Sequence, residues 1–146
     1  LPKDGNGRWL NKDGTPGGKK GNSIWESADK SLTVEYKNGY PDFRTAKKNG
    51  NSITYNPDPG NPKFDNFDGT VEIADMGGGA DRAYDYQQAQ EAMRKYLNDP
   101  DWKKPDNYTW HHGEDGKSMT LIYGDGIHHG KGSAAHTGGY SLSSEF

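Results

Sequence analysis

YTWHHGEDGKSMTLIY, residues 108–123, is the stretch on which the reading of this chain turns. Tyr108–His112 is rich in the aromatic and β-branched residues that favour a strand, and Ser118–Tyr123 repeats that character. Between them Gly113–Gly116 reads as a turn, with Asp115-Gly116 the strongest local signal. The prediction is a β-hairpin whose first strand ends on two adjacent histidines, His111 and His112.

Downstream, three more histidines follow at His128, His129 and His136, so all five in the chain fall within the 26 residues from His111 to His136. The chain has no cysteine, which excludes disulfides and thiolate metal sites. Any transition-metal site must then use histidine and carboxylates, and clustered imidazoles are how such a chain would build one. Phosphodiester cleavage needs a nucleophilic water, a base to deprotonate it, and positive charge on the phosphate oxygens and leaving group. A histidine base with one metal ion supplies all three. Adjacent residues on a strand point to opposite faces, so one of the pair can face a metal while the other reaches another side of the phosphate. The later histidines carry a restriction. His128 and His136 on one straight helix would stand about 10–12 Å apart, too far to share an ion bound at about 2.0–2.1 Å. The chain must bend between them, and Gly130 and Gly132 allow it.

Upstream, Leu32–Tyr36 alternates as a half-buried strand, with weaker strands at Ser52–Tyr55 and Thr70–Ile73. A helix is predicted from about Ala80 to Leu97, on the spacing of Tyr86, Ala89, Met93, Tyr96 and Leu97, with Asp81 as its cap and Asn98-Asp99-Pro100 as its stop. Residues 1–22, rich in Gly, Asp, Asn and Lys, read as a flexible linker leading into a single domain over 23–146. The start at Leu1 leads us to expect a fragment of a longer parent protein. The Asp4–Gly7 stretch lacks the glutamate that would close a calcium loop, and no apolar run reaches the ~20 residues of a membrane span. Hydrophobic residues make up 29% of the chain, beside 21 glycines and 8 prolines, so the core must be small. The formal charge of −3 is not that of a typical nucleic-acid binder. A local basic patch or the charge of a metal would have to compensate.

These pieces together resemble a known family. Tyr108–His112, Ser118–Ile122, Ile127-His128 and His136-Thr137-Gly138-Gly139 are similar to the WHH branch of the HNH/endonuclease VII superfamily. Gly39–Phe43 and the Met76…Arg82…Asp85 approach to the helix resemble it more weakly, and the likeness spans roughly residues 39–142. The resemblance implies an α+β protein with a ββα-metal core at about 107–142, behind a loop-rich extension of short strands and one helix. It implies a C-terminal nuclease domain of a bacterial polymorphic toxin. Such a domain is secreted or delivered, acts in the target-cell cytoplasm, cuts DNA, and is neutralised by an immunity protein. His111 would be a metal ligand, His112 the general base, and His128 and His136 would complete the site around one divalent ion (Zn, Mn, Ni or Mg). Two departures stand out. The last two histidines are further apart than the family places them, which makes His129 a rival to His128. No asparagine stands where many relatives use one to orient the base, and Asp125 is the available substitute.

Three further residues could serve the site. Asp42 precedes it, Glu72 could orient a ligand histidine, and Arg82 could hold a phosphate oxygen, although an ordinary surface ion pair explains each equally well. Trp110 reads as a core anchor beneath the hairpin. Two alternatives stay open at this level: an RNase of the same fold, and a non-catalytic metal-stabilised binding module.

Overall fold

Leu32, Val34 and Tyr36 are buried while Glu35 and Lys37 are exposed, the period-two pattern that sets a strand on a core. This strand, β3 (Leu32–Lys37), returns through Asn38-Gly39 into β4 (Tyr40–Lys48), and β4 returns through Asn49-Gly50 into β5 (Asn51–Ser52). Both Asn-Gly pairs sit at positive φ, the conformation that two-residue hairpin turns require. On the other side β3 pairs with β2 (Ile24–Ser27), and β2 with β1 (Gly7–Leu10), giving a five-stranded antiparallel sheet in chain order. This is a computed structural model; it describes residues 1–2, 5–74, 82–113 and 115–124, with Arg82 described by its backbone alone.

The expectation of a linker over 1–22 does not hold. Residues 7–10 are a sheet strand, with Trp9 edge-on to Tyr36 at 5.0 Å between ring centroids and Leu10 buried. Two apolar residues among glycines and charges give too short a pattern to register as a strand, yet they have a core to reach.

A second sheet holds β6 (Thr70–Glu72), β7 (Tyr108–His112) and β8 (Ser118–Tyr123), in the order β6-β8-β7 and antiparallel throughout. Its two faces meet different neighbours. Trp110, Met119, Leu121 and Val71 pack with Ala89 and Met93 of the helix α1 (Arg82–Leu97) and with Trp102. Ile122, on the opposite face, joins the core of the first sheet with Trp25, Val34 and Phe43. The order is therefore first sheet, second sheet, helix, and the fold is α+β as expected. Among the described residues no helix is long and apolar enough to cross a membrane.

The helix ends where the sequence says it should. Asn98 adopts φ 53°, its N–H donates to the Lys95 carbonyl at 3.2 Å, and the Asp99 N–H donates to the Arg94 carbonyl at 2.9 Å. These two bonds form a Schellman motif around a left-handed residue. The proposed Asp81 cap lies outside the described residues. We expect Asn98→Ala to cost about 1 kcal/mol in chemical denaturation and Asn98→Gly to cost nothing, because alanine brings a Cβ to a positive φ and glycine does not.

Candidate active site

The predicted hairpin is present with the predicted ends. Tyr108 pairs with Tyr123 and His112 with Met119. Its turn is closed by one carboxylate oxygen. Asp115 Oδ1 accepts from the N–H groups of Lys117 (2.9 Å) and Ser118 (2.8 Å) and from the Ser118 hydroxyl (2.9 Å). The backbone closes behind it, Gly113 N–H donating to the Ser118 carbonyl at 2.8 Å. Gly113 approaches Ser118 so closely that a Cβ there would collide with the Ser118 hydroxyl.

This turn holds β7 in register, and the pleat then separates the two histidines. His111 shares its face with Thr120 of β8 and looks toward the first sheet, with the Phe43 ring 4.2 Å away and edge-on. It lines a cleft of about 320 Å³ between β4 and the hairpin. His112 shares its face with Trp110 and looks toward α1, where Tyr86 lies 6.0 Å from it between centroids. Both imidazoles are buried, His111 at 5% exposure and His112 at 3%.

His112 has a partner that the sequence reading quoted without assigning. Its Nε2 lies 3.0 Å from Oδ2 of Asp85, and Asp85 is fully buried. A carboxylate accepts and does not donate, so Nε2 carries the hydrogen and the lone pair of the neutral ring falls on Nδ1. A signal for this was in the sequence. Asp85, Ala89 and Met93 recur at i, i+4 and i+8, so Asp85 occupies the buried stripe of α1. A carboxylate on such a stripe must find a partner, since an uncompensated buried charge is costly.

The other expected residues divide as follows. Glu72 ends β6 with its side chain 74% exposed, 3.9 Å from the Lys117 ammonium, whereas among the described residues the carboxylate hydrogen-bonded to a histidine is Asp85. Asp42 lies in the cleft beside His111 and binds Arg44. Arg82 opens α1, and its side chain is not described. Asp125, His128, His129 and His136 lie outside the described residues. Among the described residues no three His, Asp or Glu side chains gather into a metal-binding group. The imidazole of His111 is a donor that a divalent transition ion takes, whereas the carboxylates that share its cleft are engaged, Asp42 by Arg44 and one oxygen of Asp115 by its turn.

Residues 101–146 match the WHH family, described as a nuclease of the HNH/ENDO VII superfamily with conserved WHH. The match includes Trp110-His111-His112 and bears out the resemblance drawn from those residues. No curated protein matches the chain.

The Asp115 carboxyl gives a test of the hairpin. Burial raises its pKa, but the three hydrogen bonds from Lys117 and Ser118 outweigh burial and hold it below the ordinary 3.8. A depressed carboxyl stabilises the fold above its unfolded value and loses that contribution as pH falls through its folded value. We expect Asp115→Ala to cost about 1 kcal/mol near neutrality, because the site is largely open to solvent. In chemical denaturation against pH, the gap between wild type and variant should hold near neutrality and narrow as pH falls through 3.8 and below.

Proposed function

We propose that this chain is a metal-dependent endonuclease that hydrolyses DNA, with His112 as general base and His111 as a metal ligand. The observation that carries the reading is the division of the WHH histidines: one lines a cleft, and the other is held by a buried carboxylate. In this reading β7 and β8 are the two strands of a ββα-metal core at about 107–142. His136 with His128 or His129 completes the ligand set.

Asp85 accepts the Nε2 hydrogen of His112, and Nδ1 takes the proton of the attacking water. As the water oxygen bonds to phosphorus, the bond to the 3′ oxygen breaks and that oxygen leaves. A divalent ion held by His111, with His136 and His128 or His129, would supply Lewis-acid charge to the phosphate. The negative charge of Asp85 stabilises the imidazolium that forms on His112, as a carboxylate behind a catalytic histidine does. Asp85 rather than Asp125 is then the residue that takes the place of the missing asparagine. The wider expectations belong to the same proposal: a toxin domain of a longer parent protein, delivered to act in a target-cell cytoplasm and neutralised by a cognate immunity protein. RNA stays the alternative substrate, since the same chemistry serves either backbone.

One observation favours a second assignment of roles. His111 lines the cleft, whereas His112 is covered on its face by α1. Exchanged roles would make His111 the proton acceptor and His112, fixed by Asp85, the ligand.

Nicking of supercoiled plasmid with Mg, Mn, Zn or EDTA, beside digestion of duplex DNA and RNA, tests the proposal. Alanine at either member of the buried pair removes a buried hydrogen-bonding group and leaves a gap, so amides are the better probes. His112→Gln puts an amide N–H where Nε2 donates to Asp85 and removes the base. We expect metal-dependent nicking that falls at least about 100-fold in His112→Gln, and a fall of about 10–100-fold in kcat for Asp85→Asn with KM little changed. Full activity in His112→Gln would sink the assignment of the base, and folded protein that cuts no polynucleotide in any metal would sink the nuclease.

A further inference from the structure

The cleft that His111 lines has a second wall, and that wall comes from the first sheet. Lys37 closes β3, and Asp42 and Arg44 stand on β4; all three line the same gap as the hairpin residues His111, Asp115 and Thr120. At about 320 Å³ it is at the lower end of the range for small-ligand pockets, with room for a phosphate and part of a sugar.

Arg44 is built into this cleft in a particular way. Its Nε donates to Asp42 Oδ1 and its Nη2 to Asp42 Oδ2, both at 2.9 Å. That bidentate pair fixes the plane of the guanidinium and uses two of its five N–H groups, leaving three for another acceptor. The side chain is 53% exposed, so an acceptor can reach it. A rigid, planar, always-charged fork is the side chain best suited to the oxygens of a phosphodiester.

The charges explain why the cleft does not read as a basic patch. Lys37 and Arg44 share the cleft with Asp42 and Asp115, and Asp68 also acts on the Arg44 guanidinium, so the positive charges do not outnumber the negative ones. Asp42 is engaged by Arg44, and one oxygen of Asp115 by its own turn. A phosphate would therefore be held by aimed N–H groups at short range and not by a broad positive field.

We propose that the gap between β4 and the β7–β8 hairpin is a groove for the phosphodiester backbone, in which Arg44 grips a phosphate beside the one being cut and Lys37 assists. This rests on the nuclease reading and makes the first sheet the far wall of the substrate site.

Arg8 provides a matched control. It is also an exposed arginine paired with a carboxylate, 48% exposed with Nε 2.9 Å from Glu26, but it stands on β1 away from the cleft. Binding of a short fluorescein-labelled DNA duplex and its RNA counterpart is read by anisotropy against salt, in the His112→Gln background with Mg present. We expect Arg44→Ala to weaken binding about five- to tenfold and to lower the log–log salt slope by about one. Arg44→Lys should fall in between, and Arg8→Ala should match the parent. In the otherwise wild-type enzyme, Arg44→Ala should raise KM by a similar factor and leave kcat within about twofold. If duplex binds but Arg44→Ala and Arg8→Ala behave alike, the groove is overturned while the nuclease reading stands. If neither polynucleotide binds, both fall together.

Discussion

Two imidazoles that are neighbours in sequence cannot share one face of a strand, and the architecture follows from that constraint. The pleat of β7 sends His111 toward the first sheet and His112 toward α1. Each face therefore needs its own covering layer. The first sheet reaches His111 and Ile122 of the hairpin through Phe43 and its core, and α1 reaches it through Ala89, Met93 and Asp85. The central sheet is only three strands wide, yet it is packed on both sides. That arrangement lets a chain of 29% hydrophobic content hold two histidines in different environments. It also gives each a different polar setting, the buried Asp85 carboxylate for His112 and a cleft shared with Asp42 for His111.

The parts of the fold with strong local chemistry were legible in the sequence. The hairpin over 108–123 was marked by strand formers around Asp-Gly, and α1 by its periodicity and its Asn98 stop. The first sheet was mostly missed, for reasons that can be named. β4 begins at Tyr40-Pro41 and carries charges at Asp42, Arg44, Lys47 and Lys48, which mask the alternation of Pro41, Phe43 and Ala46. The bulge in its pairing with β3 breaks the period further. The Asn38-Gly39 and Asn49-Gly50 turns were the better signal, since that dipeptide at positive φ is a hairpin turn whatever the strands beside it look like.

The site was legible in its residue types but not in its pairings. His111 and His112 stood out because two imidazoles at a strand end have no packing purpose. Asp85 did not stand out, because an acidic residue near a helix start has an ordinary explanation in the helix dipole. Only the buried stripe that it shares with Ala89 and Met93 gives it away. The likeness to WHH nucleases covers residues 101–146, the stretch with the histidines; the first sheet, α1 and Asp85 precede it. The supporting carboxylate and the far wall of the cleft thus come from outside the matched stretch, where local composition carries no catalytic signature. The mild overall acidity is compatible with nucleic-acid binding if the polymer is held by a few aimed donors and an ion instead of by net charge.

In the proposed enzyme the two faces of β7 divide the work, with ligation on the cleft side and proton transfer on the helix side. The decisive experiment is calorimetric titration of a divalent ion into wild type, His111→Gln and His112→Gln, each checked for an unchanged circular dichroism spectrum. We expect His112→Gln to bind the ion as wild type does, and His111→Gln to bind it at least about tenfold more weakly. Loss of binding in His112→Gln with retention in His111→Gln would contradict this division and exchange the roles of the two histidines.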